Sequence, residues 1–192
     1  MTFQISALII LAAFYGCYFG KMLLQRRRGI QTDQIGKGKT GAARTIELTM
    51  KAATLLVPLV ELVSILLGAA PLPFGVRCVG AVLALLGDAA FLVSVWTMRD
   101  SWRAGVSETD KTELVTSGIY RFSRNPAFLG FDLVYLGVLL MFFNWLLLAA
   151  SLFASVLFHI QIARVEEPFL DRVFGADYAV YKRTVNRYFG RH

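Results

Sequence analysis

Cysteine, histidine and charge are all scarce in this chain. Two cysteines are too few for a disulfide framework. The only histidines are His159 and His192. Without HxxxH or CxxC spacing, no metal-ligand set is expected. There is no GxSxG elbow and no Ser, His and Asp set for acyl transfer. Charged residues make up 17% of the 192 positions, against about 25% in an ordinary soluble domain. Disorder is excluded, because it needs low hydrophobicity. Basic residues outnumber acidic ones by 20 to 13, a net charge of +7. A nucleic-acid binder carries its basic patch on a polar surface, and a chain that is 56% hydrophobic offers none.

What is present is apolar length. A bilayer core of about 30 Å takes an apolar helix of about 20 residues. Phe3 to Leu24 is such a run, with no Lys or Arg before it and no clean small-x-small cleavage site, so it reads as a retained span. Leu48 to Ala70 and Phe74 to Met98 follow. The last block, Ala127 to Val165, is too long for one crossing. It is expected to fold back at Asn144, which makes five spans, the last two a hairpin.

The loops agree with this count. Arg26, Arg27, Arg28, Lys37, Lys39 and Arg44 lie between spans one and two. Arg99, Arg103, Lys111, Arg121 and Arg124 lie between three and four, and Arg172, Lys182, Arg183, Arg187 and Arg191 follow span five. The other loops are uncharged. Basic loops on one side predict an N-terminus outside and a C-terminus in the cytoplasm. The basic excess then serves orientation and anionic headgroups. GKGKTG in the first basic loop lacks P-loop spacing and context. Glu61, Asp88 and Asp132 lie within spans, where a carboxyl faces the bundle interior. Cys17 and Cys78 read as packing residues.

Two polar stretches lie on the basic side. In Glu108 to Phe131, Asn125 and Pro126 form a helix start, with Asn125 as N-cap and a positive dipole end. In Arg164 to His192, Glu166 and Glu167 stand where membrane anchoring alone would favour basic residues. Gly175 reads as a helix stop and Asp177 as the next N-cap. Tyr178, Tyr181, Val185 and Tyr188 then recur at helical spacing.

GIYRFSRNPAFLGF, followed by RVEEPFLDRVFGADYAVYKRTVNRY, resembles the isoprenylcysteine carboxyl methyltransferase family and the wider membrane phospholipid methyltransferases. The likeness covers roughly Leu114 to Tyr188. It implies an all-α integral membrane enzyme using S-adenosylmethionine, as one domain over residues 1–192. Residues 1–107 would carry helices one to three. Residues 108–192 would carry the cofactor loop, the hairpin and cytoplasmic C-terminal helices. The resemblance assigns cofactor contacts to Leu114, Val115, Tyr120, Arg124, Asn125, Pro126, Phe128 and Glu166. It gives Glu167 a part in catalysis and makes Arg164 the clamp for a substrate carboxylate. Asn125 stands where the family usually has His, and Phe128 where it has Tyr.

Methyl transfer from a sulfonium asks chiefly for alignment. A carboxylate acceptor needs no general base, whereas an amine or thiol does. The scarcity of bases favours a prenylated cysteine carboxylate or a related lipid-like acid. Such an acceptor would enter from the bilayer. Two competitors remain at this stage. A sterol-reductase-like NADPH enzyme shares the architecture, but SRNPAFLGF lacks its His and its Glu after Gly130. A non-enzymatic membrane protein would leave the clustered polar motifs without a purpose.

Overall fold

The structure is a computed structural model, and it describes residues 2–68, 70–106 and 112–191. The expected division at 107–108, and Lys111, lie outside the described residues. Six α-helices carry the fold: α1 Thr2–Arg27, α2 Gly41–Leu67, α3 Phe74–Met98, α4 Pro126–Met141, α5 Trp145–Gln161 and α6 Glu167–Thr184. No strand occurs among the described residues, only two isolated bridges, Asp33 with Ala104 and Val185 with Arg191.

Among the described residues, four helical stretches are long and apolar enough to cross a membrane. They are Thr2–Arg27, Gly41–Leu67, Phe74–Ser101 and the continuous run Trp145–Thr184 that contains α5. Helix α4 is equally apolar but has 16 residues, about 24 Å at 1.5 Å per residue. The third expected span matches α3 at both ends. The hairpin turns where expected. Asn144 caps α5 through its side chain, with Oδ1 accepting from the Leu147 N–H at 2.9 Å. Gly175 breaks α6 with φ 50° and ψ −116°, a left-handed turn that glycine makes without a Cβ clash.

The tightest packing joins α3 to α4. Gly80 faces Gly137 and Gly87 faces Gly130, so the two helices run antiparallel with backbones in contact. A Cβ at Gly137 would stand 2.5 Å from the Gly80 carbonyl oxygen and 2.6 Å from the Ala84 nitrogen. Small residues allow this approach, and among apolar surroundings close packing replaces the hydrophobic drive. The glycines recur seven residues apart on each helix, two full turns, so both pairs fall on one face.

Helix α1 leans on α3 and α2 on α5, while α1 and α2 touch little. Large apolar side chains such as Ile9, Leu56, Leu66 and Leu152 stay exposed on the outer faces, the surface a bilayer would cover.

The first basic loop is more than a lipid anchor. Arg26 to Arg28 are exposed, but Thr32 and Gln34 are buried. The Gln34 N–H donates to the Ala104 carbonyl at 2.8 Å and the Ala104 N–H to Thr32 at 3.0 Å. Buried Gln25 donates to the Trp102 carbonyl at 3.1 Å and accepts from the Thr32 hydroxyl at 2.6 Å. The loop is thereby tied to the segment after α3.

Candidate functional site

A cavity of about 830 Å³ runs from the cleft between α1 and α2 to the polar ends of α4 and α5. Its volume lies within the range of small-molecule sites. Leu8, Leu11, Leu55, Leu59 and Leu62 line the apolar stretch. Phe128, Phe131, Phe158, Tyr120 and Tyr178 form aromatic walls further in. Asp33, Lys51, Arg103, Arg124, Asn125 and Glu166 line the polar end.

Seven of the residues singled out from sequence reach this cavity: Leu114, Val115, Tyr120, Arg124, Asn125, Phe128 and Glu166. Pro126 opens α4 as its first residue and is buried beside them. Two others have different surroundings. Glu167 does not line the cavity. It pairs with Arg124 at 3.0 Å and receives both Arg187 Nε, at 2.9 Å, and Nη2, at 2.7 Å. Arg164 is exposed and does not line the cavity. The structure therefore does not bring Arg164 to a position from which it can clamp a ligand there.

These neighbours diverge within a π turn. Residues Ile162–Glu166 form a five-residue π turn after α5, a local widening that recurs at functional sites. It carries Arg164 outward and Glu166 inward. Burial, reinforced by the Glu47 carboxylate, raises the Glu166 carboxyl to about 7. Burial would also raise Glu167, but the Arg187 hydrogen bonds and the Arg124 charge outweigh it and hold that carboxyl below its ordinary value.

Asn125 occupies the N-cap position of α4 without capping it. Its Nδ2 donates instead to the Arg187 carbonyl at 3.0 Å. The Arg124 N–H donates to the Asn186 carbonyl at 3.1 Å and the Gly190 N–H to Phe122 at 2.8 Å. Tyr181 Oη donates to the Tyr120 carbonyl at 2.6 Å, and Arg124 Nη1 to Tyr178 Oη at 3.0 Å. The segment after α6 thus lies along the loop before α4 and stiffens the polar end. Burial raises the Tyr120 hydroxyl far above its usual range, so it stays neutral.

A model of the phospholipid methyltransferase family matches residues 76–177, just over half of the chain. The chain belongs to the phospholipid methyltransferase family. The match covers nearly all of α3, all of α4 and α5 and more than half of α6, the elements that build most of the polar end. Among curated relatives, it is similar to protein-S-isoprenylcysteine O-methyltransferase of Saccharomyces cerevisiae (strain ATCC 204508 / S288c), 32% identical over 108 residues, 55% of this chain and 45% of that protein. It is also similar to the probable protein-S-isoprenylcysteine O-methyltransferase of Oryza sativa subsp. indica, 31% identical over 115 residues, 58% of this chain and 59% of that one. The Dictyostelium discoideum protein-S-isoprenylcysteine O-methyltransferase is 28% identical over 114 residues, 58% of this chain and 48% of that one. The chain spans about half the length of the curated relatives it matches.

Sequence reasoning missed the contribution of the segments before Leu114 to the cavity. Asp33, Lys51, Trp102 and Arg103 all line the cavity. The signal available was composition: polar Thr, Asp and Gln among the basic residues of the first loop have no use in headgroup binding.

Proposed function

We propose that this phospholipid methyltransferase family member transfers a methyl group from S-adenosylmethionine to a lipophilic acceptor, with the carboxylate of a prenylated cysteine as the preferred one. One observation carries the reading. A single cavity joins an apolar cleft between α1 and α2 to a polar, aromatic-walled end built by the family-matched segment. An acceptor with an apolar tail and a polar head fits such a cavity in one orientation. A reductase reading has no comparable support from the family.

The residues at the polar end suit the cofactor's chemistry. Glu166 offers a carboxylate for the cationic amino acid part. Tyr120, Phe128 and Tyr178 offer rings for the adenine and for the sulfonium, which favours aromatic faces. Leu114 and Val115 line the cavity from a segment outside any helix. S-adenosylmethionine supplies a methyl on a positive sulfur, whose charge is lost on transfer. The chain's own part is to align the acceptor, exclude water and present Glu166 at the cavity wall.

Glu167 then acts behind the site by fixing Arg124 and Arg187. A substrate carboxylate would meet Arg103 and Lys51, the cavity's other basic groups, rather than Arg164. Lys51 is paired with Asp33 at 2.5 Å, and Arg103 Nη1 is held by the Asp100 carbonyl at 2.6 Å. Five crossings, with the polar end in the cytoplasm, would let the tail enter from lipid and the cofactor from water.

The test is methyl transfer by the purified chain in detergent. The acceptors are an S-prenylated cysteine with a free carboxylate, its methyl ester and a phospholipid amine. Transfer to the free acid alone supports the proposal. Transfer to the phospholipid amine alone would move the acceptor class. Failure to bind S-adenosylhomocysteine by calorimetry would overturn the reading.

A further inference from the structure

Two charged residues that precede the family-matched residues 76–177 meet at the cavity wall. Lys51 stands on α2, the helix whose Leu62, Leu59, Pro58 and Leu55 line the apolar cleft. From Leu62 to Lys51 is eleven residues, about 16 Å of helix at 1.5 Å per residue. Lys51 is the first charged side chain to line the cavity along that path, where the apolar stretch ends. Its Nζ donates to Asp33 Oδ2 at 2.5 Å. Asp33 belongs to the connection between α1 and α2, and it lines the cavity too. Its backbone is fixed, since it bridges to Ala104 and its carbonyl accepts from Lys37 Nζ at 2.6 Å. Its second carboxylate oxygen, Oδ1, accepts from the Ile35 N–H at 3.2 Å.

This pair is built to exchange. The Lys51 and Asp33 side chains are 38% and 28% exposed. An ion pair this open is weak, because water screens it and solvates both partners. If Lys51 turns elsewhere, Asp33 keeps the Ile35 N–H and some solvent, so its charge is not left bare. The other basic groups lining the cavity among the described residues are held differently. Arg124 is nearly buried and paired with Glu167 at 3.0 Å, behind the wall. Arg103 Nη1 donates to the carbonyls of Asp100 and Trp102. Only Lys51 is recorded in an ion pair with a carboxylate that itself lines the cavity. An ammonium carries three N–H donors, and Asp33 takes one of them.

We propose that Lys51 is a specificity-determining residue that receives the acceptor's carboxylate where the apolar cleft ends, and that Asp33 is its internal competitor, a carboxylate of the chain standing where the acceptor's will stand. This rests on the cavity being the methyl-transfer site. Exchanging one carboxylate for another keeps the charge on Lys51 balanced, so an acid displaces Asp33 at little cost. A neutral ester has no charge to offer in return. The acid is thereby favoured over its methyl ester. Once the acceptor is esterified, Asp33 takes Lys51 back and the product loses its hold. The connection between α1 and α2, outside the family match, then sets which acceptor heads are accepted.

The experiment uses the full chain in detergent, saturated with S-adenosylhomocysteine so that no turnover occurs. Calorimetry measures the Kd of an S-prenylated cysteine with a free carboxylate and of its methyl ester. The unaltered protein is expected to bind the acid more tightly. Lys51→Met should weaken the acid about tenfold, the scale of one charge-assisted hydrogen bond, and leave the ester unmoved. Lys51→Arg should keep the preference for the acid. Asp33→Asn removes the competitor and should tighten the acid about threefold, again with the ester unmoved. The opposite signs of Lys51→Met and Asp33→Asn are the signature. A pair that merely ties the connection to α2 would weaken both ligands in both variants, and that result overturns the proposal. An acid affinity unchanged in either variant overturns it as well. If Lys51→Met does not fold, Asp33→Asn and Lys51→Arg decide the matter. Binding of S-adenosylhomocysteine by the unaltered chain without preference for acid over ester sinks this proposal alone. No binding of S-adenosylhomocysteine at all sinks the reading of the cavity on which it rests.

Discussion

The α3–α4 seam and the α1–α2 cleft are both made of apolar helices, and they behave in opposite ways. At the seam, paired glycines let two backbones touch, and the helices form one stiff unit. At the cleft, α1 and α2 touch little, and Leu55, Leu59 and Leu62 line the gap that opens into the cavity. Where side chains vanish, the fold gains rigidity. Where they project without a partner, it gains room. The polar end hangs from the stiff unit, since its loop enters α4 directly and its acidic pair follows α5.

The comparison breaks most severely at Gly137. Gly137→Leu places atoms where the Gly80 carbonyl already stands, so the seam must separate. A cost of at least about 3 kcal/mol is expected, read as loss of the folded, monodisperse protein in thermal melts. Gly16→Leu is the control. Nothing lies within 4 Å of its added Cβ, and a change within about 0.5 kcal/mol is expected.

Next in size is Glu166→Gln, which should weaken S-adenosylhomocysteine binding by about 10- to 100-fold, the loss of one charge-assisted hydrogen bond of about 1.5–3 kcal/mol. Glu167→Gln should cost less, about tenfold in the same titration, because it loosens Arg124 and Arg187 without touching the cavity. Unaltered binding in Glu167→Gln would separate the arginine pair from the site.

Smaller again is the effect of Arg103→Ala. It should raise the KM for a carboxylate acceptor several-fold, the share of one partly solvated ion pair at about 1 kcal/mol, with the cofactor KM unmoved. Arg164→Ala should change neither, and a rise there would return the clamp to the π turn. The mildest change is Leu59→Trp, which narrows the cleft. Its expected signature is an acceptor KM raised about two- to threefold with no change in S-adenosylhomocysteine affinity, the scale of one modest apolar contact.

Much of this architecture is legible locally. Hydropathy alone sets α3 from Phe74 to Met98. Asn144 marks the hairpin because its side chain satisfies a free N–H at a helix start. Gly175 marks the break because other residues resist its φ. The resemblance through RNPAF and the acidic pair points to the end of the molecule where the polar lining of the cavity lies, and seven of ten residues reach that cavity. Hydropathy does not show which face of a helix meets which partner. The glycine spacing of α3 and α4 is visible in the chain, but it acquires meaning only when the helices are laid side by side. The first basic loop looks like a headgroup anchor until Thr32 and Gln34 are found packed against Ala104.

The acidic pair marks the boundary between the two kinds of knowledge. That two carboxylates stand together on a basic face is a property of the sequence, and so are the apolar lengths and the punctuation between them. That Glu166 faces the cavity, Glu167 faces two arginines and Arg164 faces away is decided by how the end of α5 and the start of α6 pack against the rest of the fold. Adjacent helical side chains point in directions about 100° apart. A residue's chemistry is written in the chain, but its partner is fixed only by the elements that pack around it.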